Sequence, residues 1–356
     1  MKNLIKKAVI LILFLFIIIN PSMSKTDDEI IEDIKKSGNY DKVEKIYLGT
    51  SDFFYKTTKN NKYGAYDRYE YFVSAPLYDD ITLSIDSRNN RFNGEIFVTT
   101  SGNKKGALRR QGQNYITAAS TQFDDIELMV QDCSEYYIAV TLNGKKGVHI
   151  STDRTTSLVV LPPVFDEVSM TQVPNIIVKQ YGKYGVYNWD RQVVPIKYDK
   201  VEPSYSSIVV TLNNKQGAYY DGNMVVPVGY DEVSMVDPDL TYSLDSKLVF
   251  IVKKNNKYGI YNSVPIEFDS ITPVYRGFIV EKNGKFGLYH LTKGKILNTD
   301  FDKIYEISNT KVACEKNGRV VKEIDMSKRS AYEAVQEGIV RVLFFPIIYP
   351  LEHGIP

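Results

Sequence analysis

One short phrase recurs along the chain and constrains what it can fold into. It reads Lys62 to Tyr66 (KYGAY), Lys104 to Leu108 (KKGAL), Lys145 to His149 (KKGVH), Lys183 to Tyr187 (KYGVY), Lys215 to Tyr219 (KQGAY), Lys257 to Tyr261 (KYGIY) and Lys285 to Tyr289 (KFGLY). Its glycines, Gly64, Gly106, Gly147, Gly185, Gly217, Gly259 and Gly287, are spaced 42, 41, 38, 32, 42 and 28 residues apart. A period of roughly 20–50 residues is the mark of a solenoid, a propeller or an array, in which no single unit buries a core alone.

Each copy carries four blocks in fixed order. An apolar run comes first, as in Ile208-Val209-Val210, and then a polar turn, as in Asn213-Asn214-Lys215. The glycine phrase is third. The fourth block is a proline followed by an aromatic-Asp pair, as in Pro195…Tyr198-Asp199 and Pro265…Phe268-Asp269; copies two and seven keep Phe123-Asp124 and Phe301-Asp302 without that proline. Asn-Gly and Asn-Asn between apolar runs favour the positive φ of tight hairpin turns, so each copy predicts a β-hairpin. The glycine lies inside the second strand of that hairpin, where it marks a bulge or a close backbone approach. The proline fits the start or edge of a further strand, since it donates nothing to a ladder. The expectation is an all-β fold of tandem three- to four-stranded units. A propeller-like ring is favoured slightly over an open β-solenoid, because closure protects strand edges.

The array is expected over 46–326, as seven copies and a degenerate eighth around Asn317-Gly318. Residues 25–45 read as a helical linker, acids first and lysines last, stopped by Gly38. Residues 1–24 have the layout of a secretory signal peptide: Lys2, Lys6 and Lys7, an apolar stretch from Ala8 to Ile19, then Ser22-Met23-Ser24. An uncleaved N-terminal anchor is the alternative, and only then does a membrane tether follow. Export to the periplasm, the cell surface or the medium is the expected localisation. Residues 327–356 read as a short helix and an apolar tail that packs over the end of the array, completes a terminal sheet, or docks a partner.

Without residues 1–24 the chain has 41 basic and 43 acidic residues, which gives no basic face for nucleic acid. Cys133 and Cys314 stand 181 residues apart. A disulfide between them is chemically allowed in an exported chain, and needs a ring to bring them together.

These residues identify the chain as similar to the bacterial WG-repeat (KWG-repeat) proteins, whose signature is an apolar strand, an N-G-K turn, W-G-Φ-Φ-D and P-x-Y-D-x-Φ. Val178 to Val201 and Val252 to Ile271 match it best. The family's Trp is replaced here by Tyr63, Lys105, Lys146, Tyr184, Gln216, Tyr258 and Phe286. If that position stacks in a core, the polar copies pack loosely. The resemblance implies β repeats and an interaction role, and it brings no catalytic residue.

The chemistry-bearing residues follow the repeat. His149, His290 and His353 have no metal-ligand spacing, and no nucleophile-base arrangement stands out. No catalytic, metal or cofactor site is therefore expected. The recurrent acids Asp79, Asp124, Asp166, Asp199, Asp231, Asp269 and Asp302 come singly, unlike the bunched oxygens of a calcium loop, and read as turn caps. Tyr66, Tyr187, Tyr219, Tyr261 and Tyr289 recur once per copy. They either pack between units or form a rank for stacking a sugar or peptide.

The expected function is a non-enzymatic exported scaffold that binds a protein or surface glycan through variable segments such as Arg109 to Gln122, Ser151 to Leu161 and Val236 to Lys247. A glycan hydrolase or lyase is the enzymatic alternative, needing two carboxylates about 5–10 Å apart in one cleft. A purely structural envelope component is the third.

Overall fold

A computed structural model describes residues 25–48, 52–86, 91–132, 135–152, 155–172, 174–204, 207–236, 248–291 and 293–327. The segments read as a signal peptide and as an apolar tail, together with Cys133, His353 and most of Val236 to Lys247, lie outside them.

The fold is all-β, built from tandem antiparallel units. Among the described residues one helix, α1 (Asp27–Gly38), precedes the strands. It opens on a capping box between Thr26 and Glu29 and ends at Asn39, whose φ is 51°. In the first unit β1 (Lys42–Leu48), β2 (Asp52–Lys59), β3 (Lys62–Tyr66) and β4 (Phe72–Tyr78) pair in sequence order. The same meander recurs over 80–123, 125–165, 167–198, 200–230, 232–268 and 270–301. The eighth unit, 303–325, has three strands. A single parallel bridge between Asp86 and Leu128 joins units two and three into one sheet. The chain forms two compact bodies divided between Met170 and Thr171, within the first strand of unit four (Glu167–Gln172).

The unit begins where the sequence signature ends. The strand after each aspartate is the first strand of the next unit, and the proline strand is the fourth of its own. The array accordingly starts at β1, inside the segment read as a linker, and α1 packs on it: Ile34, Tyr40, Val43 and Tyr55 form one cluster with Ile30 and Ile31 against it.

The repeated glycine answers a shortage of space rather than a need for positive φ. In each of the first seven units, four residues of the fourth strand span two of the third: Gln216 faces Tyr230 and Ala218 faces Val226, just as Tyr184 faces Tyr198 and Val186 faces Val194. The surplus makes a bulge that presses on the glycine. A Cβ on Gly217 would stand 2.7 Å from the Val226 carbonyl oxygen and 2.8 Å from the Val228 nitrogen. The proline sits in this bulge, where no ladder bond requires an N–H.

Within each body, one carboxylate ties a unit to the next. Oδ1 of Asp79, Asp124, Asp166, Asp199, Asp231, Asp269 and Asp302 accepts from the phrase lysine of the unit just completed: Lys62, Lys104, Lys145, Lys183, Lys215, Lys257 and Lys285. Oδ2 accepts the first N–H of the next unit's turn, from Gly102, Asn143, Asn213, Asn255, Asn283 and Asn317, at 2.6 to 2.8 Å. Asp41 does the same for Asn60 at 2.8 Å. The turn residues take positive φ, as at Asn213 (50°) and Asn214 (60°), which suits the type I′ hairpin.

Aromatic pairs close the seam beneath the aspartates. At five seams the ring before the aspartate meets, edge to face, the ring two residues after the next unit's glycine; after Tyr78-Asp79 that place is held by Leu108. Tyr40–Tyr66, Phe123–His149, Tyr198–Tyr219, Tyr230–Tyr261 and Phe268–Tyr289 lie 5.1 to 6.4 Å apart at 73° to 84°. Each such pair contributes about 0.5–1.5 kcal/mol beyond area burial.

Two tests follow from this geometry. Thr57 Oγ1 is buried without a hydrogen-bond partner among the described residues. It faces Gly64, where Val140, Val178, Val210, Val252 and Val280 face the glycines of units three to seven. Thr57→Val is expected to raise stability by about 1 kcal/mol in urea unfolding, because an unmade buried hydrogen bond is removed. An unchanged midpoint would contradict the burial argument.

The second test concerns pH. The lysine hydrogen bond first, then the turn N–H, holds Asp79, Asp124, Asp199, Asp231, Asp269 and Asp302 below the ordinary carboxylate range. A pKa depressed in the folded state gives stability that is complete above the unfolded value, near pH 4, and is lost as pH falls through the folded value. Melting temperature should drop steeply below about pH 4. Asp231→Asn should lower it at pH 7 and shrink the acid-dependent loss. A variant that retains the full acid-dependent loss would show that the aspartate plays no part in it.

Candidate functional site

The aspartate end of every unit is much alike; the opposite end is not. In the first body the strands of units two and three are long, with Arg91–Ser101, Asn114–Phe123 and Thr155–Phe165 against Ser207–Leu212 in unit five. The stretches Arg109 to Gln122 and Ser151 to Leu161, read as variable loops, are largely strand: paired arms of extended hairpins. Both faces of the arm are covered, with Ala107, Leu108 and Arg109 all buried, and Arg109 fully so.

A polar network fills the space between these hairpins. Arg109 Nε donates to Ser151 Oγ at 2.6 Å, one Nη donates to the Arg110 carbonyl at 3.0 Å, and the other to the Thr152 carbonyl. Its guanidinium lies 5.4 Å from the Tyr136 ring. Tyr136 donates its hydroxyl to Glu95, which also pairs with Arg110 at 2.6 Å. Nearby, buried Asp67 accepts the N–H groups of Tyr69 and Tyr71 on one oxygen, both at 2.9 Å, and the Tyr115 hydroxyl on the other at 3.0 Å.

The electrostatics keep these groups in fixed roles. Burial, then Asp67, pushes the Tyr115 phenol far above its ordinary range; burial, then the bond to Glu95, does the same for Tyr136. Both remain donors. Burial opposes the charge on Arg110, but Glu95, Tyr115 and Asp67 outweigh it and raise its pKa. The carboxylates of Asp67 and Glu95 are each engaged by two or more donors, and the arrangement braces the hairpins.

Above the brace stands an exposed tip on the turn after β3. The Tyr69 ring is 49% exposed, with the guanidinium of Arg68 at 4.9 Å and that of Arg110 at 5.0 Å. Arg68 also donates to the Tyr69 hydroxyl at 2.8 Å and pairs with Asp52. Phe72, also 49% exposed, packs edge-on against Tyr66. Tyr and Arg on a rigid base are the residue types that dominate protein-protein hot spots.

The residues singled out from sequence lie elsewhere. The aspartates are at the seams, and the glycines lie under the fourth-strand bulges described above. Tyr219 and Tyr289 are buried at those seams, and Tyr66 and Tyr261 are half-buried there with rings already engaged; these four do not form a rank for stacking. Tyr187 is half-buried, at the corresponding place in unit four. The position of the expected Trp is half-buried in every copy. Aromatics there sit under a lysine, as Tyr63 under Lys56 at 4.1 Å. Two polar replacements bind the following unit instead: Gln216 accepts the Val233 N–H at 2.7 Å, and Lys105 pairs with Asp125 at 2.7 Å. His149 is buried, which lowers its pKa, and His290 lies 3.4 Å from the Met326 carbonyl. Cys314 is a buried free thiol. Among the described residues no three His, Cys, Asp or Glu side chains converge as metal ligands.

No family model and no curated protein matches the chain. Among solved structures it is similar to PorZ, a surface component of the type-IX secretion system of Porphyromonas gingivalis, at 7% identity over 65% of this chain and 36% of that one, with a TM-score of 0.24. The chain thus spans about a third of PorZ. It is also similar to a eukaryotic initiation factor, at 11% identity over 76% and 89% with a TM-score of 0.27, and to Kluyveromyces lactis Hsv2p, at 11% identity over 70% and 99% with a TM-score of 0.23.

Asp67→Asn tests the brace. It places an amide among three donors, and is expected to cost about 1–3 kcal/mol of stability and to lower the melting temperature. An unchanged melting temperature would mean that the network adds nothing to the fold.

Proposed function

We propose that this chain is an exported, non-enzymatic scaffold of the WG-repeat type that binds a protein partner through the tip of unit one in its first body. The observation that carries this reading is Tyr69, half-exposed beside two guanidinium groups over a base of buried Asp67 and Arg109 and half-buried Glu95. A braced surface loses little conformational freedom on binding, which favours affinity. A protein suits this tip better than a glycan. Sugar stacking needs an unobstructed ring face, and Tyr69 already has Arg68 and Arg110 against it.

The test is capture by the immobilised full chain from the envelope fraction of its native cells, followed by titration with the captured protein. Tyr69→Ala and Arg68→Ala are expected to weaken binding at least about tenfold each, the effect of losing a hot-spot side chain. Met224→Ala, an exposed residue in the second body, serves as the control and should bind like the parent. Equal affinity of all four proteins would remove the tip from the interface. Saturable binding of purified wall glycan, abolished by Tyr69→Ala, would replace the protein reading with a carbohydrate one.

A further inference from the structure

Unit four departs from its relatives at the turn between its third and fourth strands. In units two, five and six this turn places Gly112 (63°), Asp221 (44°) and Asn262 (60°) at positive φ. Those residue types tolerate the left-handed region. Unit four has Trp189 there, at 56°, and it is the only tryptophan in the chain. The register is the same: Trp189-Asp190 separates the pair Asn188–Arg191 as Asp221-Gly222 separates Tyr220–Asn223. A bulky side chain held in a conformation that disfavours it is a mark of use.

The seam core does not account for it. Trp189 is half-buried and stands apart from the apolar cluster that units four and five share. Among the described residues no ring, cation or hydrogen-bond acceptor engages its indole. Tyr69, by contrast, has two guanidinium groups against its ring. The indole is the aromatic group of the second body that is left with a face to offer.

The groups beside it are polar and exposed. Arg191, two residues on, donates to Asp221 Oδ1 of the neighbouring turn at 2.8 Å, and the two side chains are 60% and 67% exposed. That bond sets the turns of units four and five side by side. Asn223 donates to the Asp221 carbonyl at 3.3 Å. A protein interface needs an apolar centre sealed by a rim, and here one ring stands among charges. A pyranose matches better. Its C–H face lies on an indole, and its adjacent hydroxyls both donate and accept, so one accepts from Arg191 while the next donates to Asp221. Opening a solvent-exposed ion pair to admit them costs little.

We propose that Trp189, Arg191 and Asp221 form a saccharide-binding site on the second body, with the indole as the platform and the ion pair as the reader of the hydroxyls. The ligand class is a neutral, pyranose-containing glycan. Arg191 is already matched by Asp221, which leaves no surplus cation for an acidic sugar. The site shares no residue with the Tyr69 tip, so either can stand without the other.

A single tryptophan lets the site report on itself. The full chain is titrated with maltotetraose, cellotetraose and chitotetraose while Trp189 emission is read under excitation that spares tyrosine. A saturable change with at least one sugar, at a dissociation constant of about 1 mM or tighter, is the expected result. Arg191→Ala and Asp221→Ala keep the indole and should weaken that sugar at least about tenfold, the loss of one hydrogen bond to a charged group. Tyr69→Ala should bind it like the parent. Trp189→Asn, which installs the residue type of unit six, should show no binding by calorimetry and unfold in urea no earlier than the parent. No saturable change with any of the sugars would overturn the assignment, as would a change that Arg191→Ala and Asp221→Ala leave intact. Earlier unfolding of Trp189→Asn would show the indole kept for packing and would overturn it too. An envelope protein held by the parent and lost by Trp189→Asn, with no sugar bound, would replace the saccharide with a protein.

Discussion

The two oxygens of one aspartate per unit are the constraint on which the rest depends. Oδ1 holds the lysine of the unit behind, and Oδ2 holds the turn of the unit ahead. Both bonds exist only when the two units stand at one separation and one rotation. At the exposed surface such a pair adds little stability by itself. Its importance is positional, because it fixes the turn N–H that opens the next hairpin, and the register of the next unit follows. The aromatic pair below it then buries area at a seam whose geometry is already set. Stability in such arrays is a sum of unit and seam terms, so a contact repeated at each seam carries weight that one copy lacks.

The glycine, the proline and the aromatic-Asp pair are one device rather than three. The fourth strand must deliver its aromatic residue to the seam, and it does so by fitting four residues against two. That surplus needs a third-strand position without a Cβ and a fourth-strand position without a ladder N–H. Glycine and proline are the residues that lack those groups. Where the proline is missing, as in units two and seven, the surplus remains: Lys105 faces Phe123 while Ala107 faces Ala119, and Phe286 faces Phe301 while Leu288 faces Leu297. The bulge is thus set by the glycine and the aromatic residue, and proline is an accessory to it.

Much of this was legible in the sequence. The turn residues, the glycine inside a strand and the capping aspartates all recur at fixed offsets, and each has a mechanism that uses that residue type. The first strand of each unit was harder to see. In unit five it is Lys200–Ser204, with a single buried residue, Val201, and so short and half-exposed a run has no period to detect. Tyr40-Asp41 escaped for another reason: it precedes the first glycine, and only the rule that each turn needs an aspartate reveals it. The brace was invisible because Asp67, Glu95, Arg109 and Arg110 are residue types that normally face water. The first glycine intervals are long, 42 and 41 residues, but so is that from Gly217 to Gly259, at 42, so spacing alone does not mark the brace.

Unit length divides the labour within the fold. Where seams are uniform, the chain spends about thirty residues per unit and meets its hydrogen bonds with backbone and aspartate. In units two and three, 80–123 and 125–165, it spends about ten more, and part of the added depth holds buried charge and phenol. An apolar filling would have stabilised the hairpins more cheaply, since buried polar groups must each find a partner to break even. What the polar filling adds is direction. Hydrogen bonds fix the angle of Tyr115, Tyr136 and Arg110 as dispersion contacts do not, and through Arg110 they fix the Tyr69 tip above. A fold that needed only to persist would have no use for that precision; a surface that must meet a partner in one orientation does.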